Sequence, residues 1–334
     1  MPTAYDLGFL VAFGLLLGWT VWSGFTDAAN AISTVVGSRV LRPLSAVALA
    51  TAGNLTGILF GVAVAATIGS GIVDSSLVDP RFVIAAILGG LAFDVFTYIR
   101  GLPISETQVL IGAIMGAGIA AGGLGAVKFV SALQKVLVPM ALAPVIAFFA
   151  ALALGLLILR WGRRSSAQKV NKVFGKAQIG SSFFFSVSHG ANDAMKSAGL
   201  MWALLLTQEG ITGAFPEVPL WLRVTSVVAL SAGTFFGGWR IVRTMGFRVT
   251  ELRPYQGFAA ETGAALVVLG SSQLGFPLST TQTVSGSIIG IGAMRRFSAV
   301  RWGVVREIVL AWALTIPASL LFAFLMYFAI GFLA

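Results

Sequence analysis

Two short motifs each occur twice, in the same order. Gly24-Phe-Thr-Asp27-Ala-Ala-Asn30-Ala31 returns 166 residues later as Gly190-Ala-Asn-Asp193-Ala-Met-Lys196-Ser197. Pro103-Ile-Ser105-Glu106-Thr107-Gln108 returns 174 residues later as Pro277-Leu-Ser279-Thr280-Thr281-Gln282. Both copies of the second motif continue with the same glycine spacing, Gly112, Gly116 and Gly118 against Gly286, Gly290 and Gly292. Ordered motifs at a nearly constant offset predict a duplicated chain. Its halves are residues 1–159 and 179–334, joined by a basic connector at 160–178.

The surroundings of these motifs are apolar. Hydrophobic residues make up 57% of the chain and charged ones 10%, with a mean hydropathy of +0.93. A soluble domain carries charge on about a quarter of its residues, so this set cannot cover a water-facing surface. The expectation is an all-α integral membrane protein, multi-pass in the cell membrane and solvated by lipid. At about 20 apolar residues per span there is room for roughly ten crossings. The apolar runs near 109–121, 179–188, 198–206 and 284–294 are too short to cross as single helices, and they flank the polar motifs. Irregular backbone at membrane depth is tolerated only where it is buried or lines a watery cavity. Short segments in matching places of two halves therefore point to a transporter's binding site.

The net charge of +10 does not indicate nucleic acid, because the basic residues gather in short loops. Arg160, Arg163, Arg164, Lys169, Lys172 and Lys176 form one cluster, Arg295 and Arg296 another. The absence of cysteine excludes disulfides, thiolate metal sites and a catalytic thiol. Residues 1–24 lack a basic start and a cleavage site, and so predict a first span rather than a signal peptide. Trp19, Trp22, Trp161, Trp239 and Trp302 stand near segment ends and suggest interface anchors.

Loop charge relates the halves. After the first motif a basic loop (Arg39, Arg42) precedes an acidic one (Asp74, Asp79). After its second copy an acidic loop (Glu209, Glu217) precedes a basic one (Arg240, Arg243, Arg248, Arg253). The reversed order predicts inverted-topology repeats. Loops 160–176 and 240–253 would be cytoplasmic, 70–80 and 207–219 external, and both termini external.

Asp27, Asp193, Glu106, Lys196, Asp94 and Glu261 all lie in or beside apolar segments. An ionisable residue at a membrane helix centre costs about 2.5–3.5 kcal/mol even on the lenient insertion scale, which favours a functional role for those in the repeated motifs. The structural alternative is paired charges such as Asp193 with Lys196 one turn on. Asp27 and Asn30 share a helix face and offer hard oxygen ligands for a small cation, and a helix break at the glycine would expose further carbonyls. The Pro-x-Ser-x-Thr-Gln motifs open glycine-rich helices, where hydroxyls, amides and free N–H groups can hold an anion. Helix capping by Ser105 and Ser279 uses the same geometry. His189, the only histidine, is a candidate proton relay or a hydrogen-bonded scaffold residue. No nucleotide-binding, zincin or hydrolase-elbow motif is present, so no enzyme activity and no cofactor are expected.

At these four motif sites the chain resembles the inorganic phosphate transporter (PiT) family, over nearly its full length. The resemblance implies uptake of inorganic phosphate coupled to a cation, sodium in preference to the proton. It also implies two inverted halves with broken helices and re-entrant hairpins meeting at a central site. By matching position, Ser105, Thr107, Gln108, Asn192, Ser279, Thr280, Thr281 and Gln282 would bind phosphate. Asp27, Asn30, Asn192 and Asp193 would hold sodium, and Glu106, Lys196 and His189 would modulate the site. The chain departs from the family pattern at Thr26 (usually Asn), Glu106 (usually a hydroxyl residue) and Gln108 and Gln282 (usually His). A sulfate permease on the same fold and, from another class, an ion channel are the alternatives; homo-oligomerisation is left open.

Overall fold

The computed structural model describes residues 6–211 and 215–333. The first residues of the expected first span, the middle of the 207–219 loop and the side chain of Arg295 fall outside this description. The first half contains α1 (Leu7–Gly37), α2 (Pro43–Thr56) with α3 (Val62–Ser70), α4 (Pro80–Arg100), α5 (Glu106–Gly122), and α6 (Phe129–Ala132), which continues through a π turn into α7 (Val138–Gly162). The second half repeats the order. It has α8 (Ala167–Gln208), α9 (Leu220–Phe236) with α10 (Trp239–Arg243), α11 (Pro254–Gln273), α12 (Thr280–Arg295) and α13 (Trp302–Leu333). Residues 160–178 are helical apart from the turn between Gly162 and Ala167.

The expected broken helices are present, but not at the repeated Asp motifs. The bends fall between α2 and α3 (78°) and between α9 and α10 (60°). At these breaks Gly61 (φ 81°) and Gly237 (φ 68°) adopt a conformation that disfavours a side chain. The long helices α1 and α8 run unbroken through Asp27 and Asp193. Gly24 and Gly190 serve close packing instead: a Cβ at Gly24 would overlap the Leu230 carbonyl, and one at Gly190 that of Asn54. Runs 179–188 and 198–206 are thus parts of one 42-residue helix.

The halves interlock. Helix α1 packs on α9 and α8 on α2 and α3, while hairpin α4–α5 leans on α13 and hairpin α11–α12 on α7. The acidic loops meet at one end, where Thr207 donates to the Ser75 carbonyl (2.9 Å) and Arg81 to that of Tyr327 near the C-terminus. The basic segments meet at the other end, with Gly175 against Pro254 and Val40, and Arg301 donating to the Phe247 carbonyl. Hairpin α4–α5 enters from the acidic end and α11–α12 from the basic end, an inverted arrangement. Besides a small cluster of Ile104, Val109 and Ala311, two large apolar clusters result, one around Ile72, Phe82 and Met201, the other around Ile32, Tyr255 and Ile288. The polar motif residues lie in the layer between them.

Leu142, Ile146 and Phe149 of α7 and Leu310, Leu314 and Leu321 of α13 point outward, an apolar stripe suited to lipid. Among the described residues four helices are long and apolar enough to span a membrane, or six if each bent pair counts as one. That is fewer than the roughly ten expected from composition. Helices α5 and α12 are short, and α8 and α11 carry polar residues through their length.

Candidate functional site

Asp27 and Asn30 lie on one face of α1, where Asn30 Nδ2 donates to Asp27 Oδ1 (2.8 Å). The same amide reaches Thr280 Oγ1 (3.2 Å) and Thr281 Oγ1 (3.0 Å), and Thr281 donates to Asp27 Oδ1 (2.9 Å). The pseudo-symmetric half-site is built alike on α8. Lys196 Nζ donates to Asp193 Oδ1 (2.5 Å), Thr107 Oγ1 (2.5 Å) and the Leu278 carbonyl (2.7 Å). All of these side chains are buried. The Asp193–Lys196 pair weighed in the sequence as a structural alternative therefore exists, and it lies inside the motif cluster.

The hairpin tips meet between these helices. Ser105 and Ser279 are N-caps, accepting from the N–H of Gln108 (3.1 Å) and Gln282 (3.2 Å). Thr107 of one tip donates to the Leu278 carbonyl of the other (2.9 Å). Two helix N-termini thus converge, each with the first-turn N–H groups that a helix leaves unpaired and a positive dipole end. Thr280, Thr281 and Gln282 are buried at the second tip. Gln108 is half-buried and its Oε1 has no donor. A narrow cavity beside the tips is lined by Ser23, Glu106, Thr107, Asp193 and Lys196 among others.

Ligand atoms of Asp27, His189 and Asp193 lie within 4.8 Å of one another. His189 Nδ1 sits 3.0 Å from Asn54 Oδ1, and Asn54 Nδ2 is committed to Thr234 (2.9 Å). The network therefore assigns the ring proton to Nδ1. Its Nε2, 3.6 Å from Asp193 Oδ2, is left without a hydrogen-bond partner. Asn30 Oδ1 is likewise buried and unpartnered. Asn192 bridges the cluster and the second tip: its Nδ2 donates to the Leu278 carbonyl (2.8 Å) and to Asp193 Oδ2 (3.4 Å), and its Oδ1 accepts from the Leu278 N–H (3.3 Å) and Ser272 (3.4 Å). It shapes the second tip, and its oxygen does not face the carboxylates. Asn54 and the Leu278 carbonyl were not singled out from sequence. A lone Asn inside the 44–66 apolar run was the available signal for the first; a backbone carbonyl gives none.

Two further carboxyl groups flank the site. Glu106 accepts from Thr26 (2.6 Å) and Asp94 from Trp22 Nε1 (2.6 Å). Trp22 is therefore a hydrogen-bond donor rather than an interface anchor, and Trp19 is buried in the core. Trp161, Trp239 and Trp302 are exposed near helix ends. Glu261 is fully buried and accepts from Thr34, Ser181 (2.5 Å) and Gln178 (3.3 Å), a saturated set that fits a scaffold role.

Residues 23–323 match the model of the Phosphate transporter family. A protein of Rhizobium meliloti (strain 1021) named "Probable low-affinity inorganic phosphate transporter" is 42% identical over 332 residues, covering 97% of this chain and 99% of its own. A Bacillus subtilis (strain 168) protein of the same name is 34% identical, covering 92% and 93%. A solved structure described as "The sodium-dependent phosphate transporter" superposes with a TM-score of 0.88, covering 98% of this chain and 100% of its own at 23% identity. That likeness shows a shared fold.

Proposed function

The chain belongs to the phosphate transporter family, and we propose that it imports inorganic phosphate coupled to a cation gradient, with sodium in preference to the proton at the Asp27–Asp193 cluster. The observation that carries this reading is the convergence of two capped helix N-termini on a cluster with one negative charge in excess. Asp27 and Asp193 bring two carboxylates, and Lys196 neutralises one. Leaving a charge uncompensated at this depth is costly, so a cation is expected to travel with the anion. Sodium is favoured because Asn30 Oδ1, buried and without a donor, suits a hard metal cation better than a proton. The structural relative is also, by its name, sodium-dependent.

In this account Ser105, Thr107, Gln108, Ser279, Thr280, Thr281 and Gln282 present hydroxyls, amides and helix N–H groups to phosphate. Asp27, Asn30 and Asp193 hold the cation, with His189 Nε2 beside them. Asn192 positions the second tip. The tip-to-tip hydrogen bond of Thr107 belongs to a closed arrangement and would yield to the anion as the hairpins part. Residues 1–159 and 179–334 are the two repeats, with 160–178 and the other basic loops at the cytoplasmic end.

Phosphate near neutral pH carries a hydroxyl that can donate a hydrogen bond to a carboxylate, whereas sulfate carries none. A site matched to a substrate hydroxyl strongly rejects an analogue without it. In proteoliposomes, a sodium gradient is expected to drive labelled phosphate uptake that arsenate inhibits and excess sulfate does not. Sulfate uptake equal to phosphate uptake would overturn the substrate, and indifference to sodium would overturn the cation.

A further inference from the structure

The first hairpin carries two carboxyl groups that the phosphate and sodium sites do not use. Trp22 and Thr26 stand one turn apart on α1, and each donates one hydrogen bond, to Asp94 on α4 and to Glu106 on α5 respectively. The two carboxyl groups are thereby turned toward each other and lie within hydrogen-bonding reach. Both residues are almost fully buried, at 2% and 4% exposure. Among the described residues Glu106 Oε2 receives no hydrogen bond and neither group forms an ion pair. A buried carboxyl oxygen without a donor that faces a second carboxyl group needs something positive between them.

We infer that Asp94 and Glu106 form a proton-binding site whose proton is carried with phosphate. A hard metal cation gathers about six or more oxygens. Here Trp22 and Thr26 already occupy the outer oxygens, which leaves one from each carboxyl. A single shared proton satisfies that geometry, as in coupled carboxyl pairs that titrate together. The fold does not require the pair. At the matching positions of the second hairpin stand Val268 and Thr280, and that hairpin folds onto its own partner helix without any carboxyl there.

The location couples the pair to transport, and in this respect the inference rests on the proposed function. Glu106 is the first residue of α5, between the cap Ser105 and the tip residue Thr107. It is held to α1 through Thr26, the neighbour of Asp27. The proton therefore joins both arms of the hairpin to α1. Losing it would set two negative charges against each other and favour movement of the hairpin. The ionisable groups facing this point are Asp27 on α1 and Asp193 and Lys196 on α8, across the narrow cavity that Glu106 lines. On α10, Arg240 lies over the Tyr98 ring, one turn along α4 from Asp94. Helix α13 packs on both arms, but its Arg306 and Glu307 are exposed. In a full cycle one proton binds from one side and leaves on the other, with no chemical change in either residue.

Infrared spectroscopy of the lipid-reconstituted protein tests this without requiring transport. The wild type at neutral pH is expected to show a protonated-carboxyl band that is lost or shifted in Asp94→Asn and in Glu106→Gln. In proteoliposomes, Asp94→Asn is expected to import one proton fewer per phosphate than the wild type under the same sodium gradient. Each substituted amide can still accept the Trp22 or Thr26 hydrogen bond, so two independent variants guard against misfolding. An unaltered band and an unaltered proton count in both variants would overturn the proton site. A wild type that shows the band but takes up no phosphate would overturn the transport reading and leave the proton site standing.

Discussion

Asp27 and Asp193 occupy matching places on α1 and α8, yet their companions differ by a full charge. Beside Asp27 the donor one turn on is the neutral amide of Asn30; beside Asp193 it is the ammonium of Lys196, at 2.5 Å. Each donor also reaches the threonine of the opposite hairpin, Thr281 or Thr107. The geometry is thus duplicated while the electrostatics are not. One half-site is neutralised by the chain itself; in the proposed account the other is neutralised by the cation that enters with phosphate.

The sharpest way to break that comparison is to remove each carboxylate in turn. Asp193→Asn leaves the Lys196 ammonium buried without its partner, a loss of about 3–5 kcal/mol for a buried pair. Thermal unfolding in detergent should register it as a large drop, and uptake should vanish. Asp27→Asn removes a charge that forms no ion pair among the described residues. It should leave the unfolding temperature near that of the parent while abolishing sodium-stimulated uptake. Equal thermal losses in both variants would show that the half-sites are electrostatically alike.

Lys196→Asn sharpens the comparison by making the second half-site a copy of the first. A second cation position should then appear, and the sodium dependence of uptake should steepen from hyperbolic to sigmoidal. A hyperbolic curve in this variant would mean that Lys196 does not stand in for a cation. Smaller effects are expected at the tips. Thr107→Ala and Thr281→Ala each remove a hydrogen bond to a charged group, worth about 1.5–3 kcal/mol, or roughly ten- to hundredfold in apparent phosphate affinity. The concentration dependence of phosphate uptake measures this. Smallest are the packing glycines. Gly24→Ala and Gly190→Ala each force a methyl against a backbone carbonyl, a cost of about 1–3 kcal/mol. Unfolding should be lowered similarly in both, because the crossings of α1 with α9 and of α8 with α2 are related by the same pseudo-symmetry.

The duplicated motifs made much of this legible before any coordinates. Ser105 and Ser279 read as helix starts because Ser at an N-cap followed by a glycine-rich apolar run has few other uses, and both cap helices here. Alternating loop charge foretold which loops gather at each end. What the sequence concealed was packing. Gly24 and Gly190 looked like helix breaks because flexibility and close approach call for the same residue, and only the neighbouring carbonyls of Leu230 and Asn54 distinguish them. Trp22 looked like an interface anchor because its partner Asp94 is 72 residues away. The orientation of Asn192 depends on the backbone of the second tip, 86 residues away, which no spacing within its own motif encodes.

The number of cations moved per phosphate tests the charge asymmetry most directly. It can be counted by following labelled sodium and labelled phosphate into the same proteoliposomes at saturating concentrations of both. With Lys196 serving as the fixed charge of one half-site, one sodium ion is expected to enter with each phosphate. Two sodium ions per phosphate in the unmodified protein, or phosphate accumulation with no sodium entry, would contradict it.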